Sequence, residues 1–223
     1  MVVFTGAGMS AESGIQTFRD SNGLWEKYAI EEVATPRAWR NNPQLVLKFY
    51  NERRKNILQA KPNNAHLAIA SLEQNYEVTV ITQNIDDLHE RGGSTNVMHL
   101  HGEILKMRSE MNEALIYPIK QDIQLGDFAS DGHQLRPHIV WFEEEVPMME
   151  YAIQEAKTAD VFVVIGTSLS VYPAASILHY LPLAMPVIVI DTKVPMVNRQ
   201  HVTYIEKPAT EGMIDLHAIL KTI

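Results

Sequence analysis

Val161-Phe162-Val163-Val164-Ile165 decides the fold class: an unbroken apolar run, mostly β-branched, with no polar alternation. Such a run is a strand buried on both faces, as in a parallel sheet covered by helices on each side. Further short runs read as strands at Val2–Phe4, Glu77–Thr82, Val97–Leu100, His138–Phe142, Val187–Ile190 and Val202–Ile205. Helical periods lie between them, at Leu45–Gln59, Ala65–Gln74, Met148–Lys157, Ala174–Tyr180 and Met213–Lys221. Alternating strands and helices make an α/β chain. Two stretches break the alternation: 23–64 is helical and aromatic, and 106–136 is polar and weakly periodic. Both read as excursions from the sheet that face it as a small lobe, and a cleft between lobes is a common ligand site.

The 223 residues carry 19 Lys+Arg against 27 Asp+Glu, a net charge of −8. That balance argues against nucleic acid as a partner, because phosphate binding needs clustered basic side chains. The short run Arg53-Arg54-Lys55 reads as a solvated helix face. No apolar stretch is long enough for a transmembrane helix, and MVVFTGAG has no basic segment ahead of an apolar run. The expectation is a cytoplasmic protein without a membrane partner. Cysteine is absent, which excludes a disulfide framework, a thiolate zinc site and a cysteine nucleophile.

The chemistry-bearing motifs fall at presumed carboxyl ends of strands, where open α/β sheets bind ligands. After the first strand, Gly6, Gly8 and Ala11 match G-x-G-x-x-G/A, in which small residues permit a tight turn and a close backbone approach to pyrophosphate. A strand–helix turn that binds nothing has the same pattern. Phe18 and Arg19 either cover a ring and hold phosphate or anchor a loop, with Arg19 paired to Asp20. Gln83-Asn84-Ile85-Asp86 offers amide and carboxylate groups to sugar hydroxyls and a carboxamide, or else caps a helix. His99-Leu100-His101-Gly102 ends another strand, and His101 lies nearest its carboxyl end. An imidazole there suits a general base, since its ordinary pKa of about 6.5 leaves it neutral and basic near pH 7. Gly166-Thr167-Ser168 and Asp191 end two more strands and suit phosphate or ribose hydroxyls, or turn chemistry.

The order of these motifs resembles the sirtuin family of NAD-dependent protein lysine deacylases. The resemblance rests on Gly6-Ala7-Gly8-Met9-Ser10, Gly14-Ile15 with Thr17-Phe18-Arg19-Asp20, Gln83-Asn84-Ile85-Asp86 and Leu100-His101-Gly102. It continues through Arg136-Pro137-His138-Ile139-Val140-Trp141-Phe142 and Gly166-Thr167-Ser168 with Val171-Tyr172-Pro173-Ala174-Ala175. It implies one catalytic domain over 1–223, with a Rossmann-type part of about 1–22, 65–105 and 137–223 and a small lobe of about 23–64 and 106–136. NAD and an acylated lysine of a protein or peptide would meet in the cleft. By position, Ala7, Gly8, Arg19 and Ser168 would hold NAD phosphates and ribose, and Ile15, Asn84 and Asp86 would line the nicotinamide pocket. Gln83 would touch the nicotinamide ribose, Phe18 would shield the reactive sugar, and His101 would be the general base. The implied reaction moves the acyl group from lysine to ADP-ribose as nicotinamide leaves. Val140-Trp141-Phe142 would pair with the substrate backbone as an added strand.

Three departures matter. The family's small lobe usually holds a four-cysteine zinc ribbon, whereas Ser109 stands near the place of the first cysteine, so no such zinc is expected. Glu143 stands where the family usually has Gly, and Asp191 where it often has Asn. Val46, Tyr50, Arg53 and Ile57 share one helix face, and an Arg in an apolar stripe suits a buried carboxylate or snorkels to solvent. With Ala34 upstream, Tyr50 and Arg53 resemble the sirtuin subgroup that removes succinyl and malonyl groups. The rival expectations are an ADP-ribosyltransferase or NAD hydrolase, and a non-catalytic NAD-responsive binding module.

Overall fold

The computed structural model describes residues 1–16 and 28–222. Six strands form a parallel sheet: β1 (Val2–Thr5), β2 (Thr79–Thr82), β3 (Val97–His99), β7 (Phe162–Ile165), β8 (Val187–Ile190) and β9 (Val202–Ile205). Their spatial order is β3-β2-β1-β7-β8-β9, so the chain runs outward from β1 in one direction and later returns to build the other half. The reversal falls between β1 and β7, which are paired with Val2 opposite Phe162 and Thr5 opposite Ile165. This is the parallel α/β sheet read from the continuous apolar runs, in the Rossmann-type form that the resemblance implies. The crevice beside such a switch point is where this architecture receives ligands.

Both faces of the sheet are covered, as those runs require. Val3, Val80, Val163 and Ile188 pack against α5 (Asn64–Leu72) and α8 (Ala209–Leu220) through Ile69, Met213 and Leu216. Phe4, Ile81, Phe162 and Val164 pack on the other face against α7 (Met149–Thr158) and the turn of 3₁₀ helix Ala174–Tyr180 through Ala152, Ala156 and Ile177. The period in 174–180 is therefore the tighter 3₁₀ form, not α.

A second, three-stranded antiparallel sheet holds β4 (Gly102–Ser109), β5 (Ile116–Pro118) and β6 (Leu135–Ile139), in the order β5-β4-β6. The run expected at His138–Phe142 starts earlier, at Leu135, and belongs to this sheet. Its cover comes from α2 (Ile30–Val33), α3 (Pro36–Asn41) and α4 (Pro43–Gln59). Val46, Phe49, Tyr50 and Ile57 of α4 share a core with Ile104, Leu135, Ile139 and Trp141.

The expected solvated face at Arg53-Arg54-Lys55 is corrected here. Lys55 is exposed and pairs with Asp122, but Arg54 is 1% exposed. Its guanidinium donates to the Ile104 carbonyl, the Gln121 carbonyl and Asn51 Oδ1 at 2.9, 3.2 and 2.6 Å. Burial pulls its pKa down to about 10. Arg54 is thus a rivet between α4 and the small sheet.

The turn after β4 is tied by oxygen ligands. Ser109 Oγ donates to Asp131 Oδ2 at 2.7 Å and accepts from the amides of Met111 and Asn112. Asp131 Oδ1 in turn accepts from the His133 amide. Among the described residues no group of three or more His, Asp or Glu side chains could hold a metal ion.

Gly166 sits at φ +64°. A Cβ there would collide with the Met9 amide and lie 2.8 Å from Gly8 Cα, while a Cβ on Gly8 would lie 2.7 Å from Gly166 Cα. The glycines after β1 thus serve a backbone-to-backbone contact with the end of β7. Gly166→Ala is expected to cost about 2 kcal/mol or more, since left-handed strain and a clash add, as read by urea unfolding.

Candidate active site

Three strand ends, those of β1, β2 and β7, converge on one place through side chains that bond one another. Ser10, in α1 (Gly8–Ala11), donates its hydroxyl to Asp86 Oδ2 at 3.0 Å and accepts from Asn84 Nδ2 at 3.1 Å. Gln83 Nε2 donates to Thr167 Oγ1 at 3.0 Å, which joins the end of β2 to the end of β7. Thr5 and Thr82, opposite one another on β1 and β2, share a 2.8 Å hydroxyl bond, and Thr82 Oγ1 accepts from the Asn84 amide. Asn84 and Asp86 are buried, and burial raises the Asp86 pKa against the hydrogen bonds from Leu88 and Ser10. Ser10, Thr5 and Thr82 join the cluster beyond the residues expected to bind. The signal for Ser10 was its place inside the Gly-rich turn.

His101 is partly buried beside this cluster. Its Nδ1 lies 3.0 Å from the Gln83 carbonyl, an acceptor only, so Nδ1 carries the proton. Nε2 is left with its lone pair, as a general base needs. Burial lowers the His101 pKa, and the Gln83 hydrogen bond opposes that in part. The neutral, basic ring therefore persists below its usual titration range.

The turn and capping readings also hold, alongside this convergence. Asp86 Oδ1 accepts from the Leu88 amide at the start of α6 (Leu88–Arg91). Thr167 Oγ1 accepts from the Leu169 amide, and Asp191 Oδ1 from the Lys193 amide. Ser168 is half-buried with its hydroxyl 2.6 Å from that of Ser170. Ala7 and Gly8 are part-exposed at the turn, and Ile15 is part-buried against the small-lobe core. Phe18 and Arg19 lie outside the described residues.

The small lobe is tied to the loop after β2 by the Ile104 amide, which donates to the Ile85 carbonyl, and its core holds Tyr50 and Trp141. Tyr50 is buried edge-on to Phe49 with ring centroids 5.0 Å apart, and lies 6.5 Å from the Trp141 ring. Burial pushes its hydroxyl pKa up to about 12 against the pull of the Arg53 charge. Arg53, one turn on, is part-buried with its guanidinium 5.6 Å from the Phe49 ring centroid. Burial lowers its pKa, while Tyr50 and the Asp86 carboxylate pull it up, so the guanidinium feels the Gln83–Asp86 loop. Buried Ala34 belongs to the same core.

Val140-Trp141-Phe142 is held firmly. Arg136 stacks 3.3 Å over the Trp141 ring and grips Glu144 through both terminal nitrogens at 2.7 and 3.1 Å. The amides of Val140, Trp141 and Phe142 donate to the His101 carbonyl, Glu144 Oε2 and the Ala34 carbonyl. The Trp141 carbonyl in turn accepts from the Glu144 amide. Glu143 sits at φ +72° and turns its carboxylate onto Arg37 at 2.7 Å.

A model of the Sir2 family matches residues 6–173. An NAD-dependent protein deacylase of Bacteroides thetaiotaomicron is 51% identical over 99% of this chain and 97% of its own length. One of Helicobacter pylori is 50% identical over 97% of this chain and 95% of its own. Among solved structures, a Sir2 homolog in complex with NAD superposes with a TM-score of 0.88 at 38% identity, covering 99% of this chain and 89% of that one. An ADP-ribose complex of a Sir2 homologue variant gives 0.89 at 37% identity, covering 99% and 91%.

Proposed function

The chain belongs to the Sir2 family, and from that membership we propose that it is an NAD-dependent protein-lysine deacylase whose acyl pocket is set for succinyl and malonyl groups. The observation that carries the catalytic reading is the His101 ring, fixed by the Gln83 carbonyl with its basic Nε2 left over. The residues present fit a dinucleotide. The Ser10, Asn84 and Asp86 cluster supplies buried donors and acceptors at the switch point, suited to a carboxamide and ribose hydroxyls. Gln83, Ser168 and Asp191 lie at neighbouring strand ends. When bound, NAD supplies the ribose carbon that accepts the acyl oxygen. His101 Nε2, left with its lone pair, would take the proton of a ribose hydroxyl. Asn84 and Asp86, tied together through Ser10, would orient the carboxamide and ribose. With one water consumed to release the lysine nitrogen, acyl-lysine and NAD would give nicotinamide, O-acyl-ADP-ribose and free lysine.

Support for the acidic acyl preference lies in Tyr50 and Arg53. A guanidinium half withdrawn from water, next to a buried phenol that shares its core with small Ala34, matches a short chain ending in a carboxylate. Arg53→Met is expected to lower kcat/KM for succinyl-lysine peptides about tenfold to a hundredfold, the worth of one charge-assisted hydrogen bond, and to leave acetyl-lysine turnover nearly unchanged. Equal losses on both peptides, or none on succinyl, would remove the carboxylate role. Mass spectrometry of the products tests the wider reading: O-acyl-ADP-ribose marks deacylation, a modified protein marks transfer, and free ADP-ribose without acyl substrate marks NAD hydrolysis.

A further inference from the structure

His99, two residues before the catalytic imidazole, has no part in the mechanism above. Its side chain is 7% exposed. Its Nδ1 lies 2.9 Å from the Asn84 carbonyl and its Nε2 lies 2.8 Å from Glu90 Oε1. A carbonyl and a carboxylate only accept, so each ring nitrogen must donate. A neutral imidazole has one N–H and meets that demand at one end only. The other end would set a lone pair against an oxygen.

We propose that His99 is a positioning residue: an imidazolium that bridges the Asn84 carbonyl to the Glu90 carboxylate and holds the Gln83–Asn84 backbone against His101. The consequence for catalysis follows from adjacent bonds. His101 Nδ1 donates to the Gln83 carbonyl, His99 Nδ1 to the Asn84 carbonyl, and the Asn84 amide donates to Thr82 Oγ1. Two histidines from one strand end thus clamp successive peptide units of the loop that presents the Asn84 side chain. Loss of the outer clamp frees that loop to rotate, and the His101 hydrogen bond goes with it. The proposal rests on the reading of His101 and Asn84 given above.

The charged surroundings agree with the geometry. On α6, Glu90 faces His99 directly, and the field of His99 also reaches His89 and the Asp86 carboxylate. On β4, Glu103 adds a second negative charge. Burial opposes the charged ring, but the Glu90 hydrogen bond and attraction, with Asn84 and Glu103, outweigh it and raise the His99 pKa. Glu90 is held below its usual range despite burial, by the His99 hydrogen bond and charge and by Lys106. Two histidines on one strand end are therefore pushed in opposite directions, His101 down and His99 up. The His101 contribution therefore persists as pH falls past about 6.5 and is lost only further down, and the His99 contribution persists as pH rises past it and is lost only further up.

The experiment uses the whole chain, with nitrogen-15 imidazole NMR and kcat/KM profiles on an acyl-lysine peptide. In the wild type, both His99 nitrogens should be protonated near pH 7, and activity should show an alkaline limb above the ordinary histidine range. Glu90→Gln is the diagnostic variant, because the amide donates to a neutral Nε2 while Nδ1 keeps its proton for Asn84. It should hold only Nδ1 protonated above about pH 7 and should flatten the alkaline limb while keeping the acid one. His99→Ala should lower kcat/KM about tenfold and also lose the alkaline limb. A neutral His99 near pH 7, a wild-type profile flat on the alkaline side, or a Glu90→Gln limb unmoved from wild type overturns the proposal. If His101→Ala stays active while His99 is doubly protonated, the base assignment fails and the His99 bridge stands.

Discussion

His101→Ala should lower kcat by about 10²–10⁴-fold, the usual worth of a positioned general base, with NAD binding retained. The magnitude follows from the ring's geometry. Nδ1 is spent on the Gln83 carbonyl, so only Nε2 can take a proton, and no other described imidazole is anchored to that carbonyl. The pH dependence has a definite sign. Burial lowers the His101 pKa, so the wild type keeps its base as pH falls past about 6.5, the ordinary value. The acid limb of kcat/KM should therefore lie below that value and vanish in the variant. A variant with the same acid limb, or with wild-type turnover and O-acyl-ADP-ribose still formed, would place the base elsewhere.

Removing Arg54 should have the largest effect on stability. Arg54→Met keeps an apolar stem of similar length but leaves the Ile104 carbonyl, the Gln121 carbonyl and Asn51 Oδ1 short of a donor. Bonds of that kind to a charged group are worth about 1.5–3 kcal/mol each, offset by relief of the buried charge, for a net cost of about 2–4 kcal/mol. In a chain of this size that is a fall of roughly 5–15 °C in Tm. Differential scanning calorimetry measures it, and a fall of under 2 °C would mean the buried cation contributes little. Arg54→Lys should recover only part, since one ammonium cannot serve acceptors spread around a planar fork. Asn51 reinforces the same contact, accepting from the Ile123 amide and donating to the Ile123 carbonyl. The loosened lobe would carry Tyr50 and Arg53 with it.

The central strands β7 and β8 were legible because burial on both faces writes itself as an uninterrupted apolar run, Phe162–Ile165 and Val187–Ile190. The small sheet was not. Gly102–Ser109 is mostly half-buried and carries Glu, Lys and Arg among its apolar residues, so neither period dominates. Arg54 was misread because its acceptors are backbone carbonyls at Ile104 and Gln121, which no local pattern marks. Of the site, the motif residues were named from their strand ends. Their mutual bonds were invisible, since Ser10 reaches Asn84 and Asp86 across 74 and 76 positions. The partner of His99 sits only 9 positions away, on a helical turn too short to show a period.

The Ser109–Asp131 turn has a consequence for the conditions the protein tolerates. A turn closed by a hydroxyl and a carboxylate offers peroxide no thiolate to oxidise. Its weak point is acid instead. The Ser109 hydrogen bond is the main force holding Asp131 below its usual carboxylate range, so the knot loosens only as that oxygen takes up a proton.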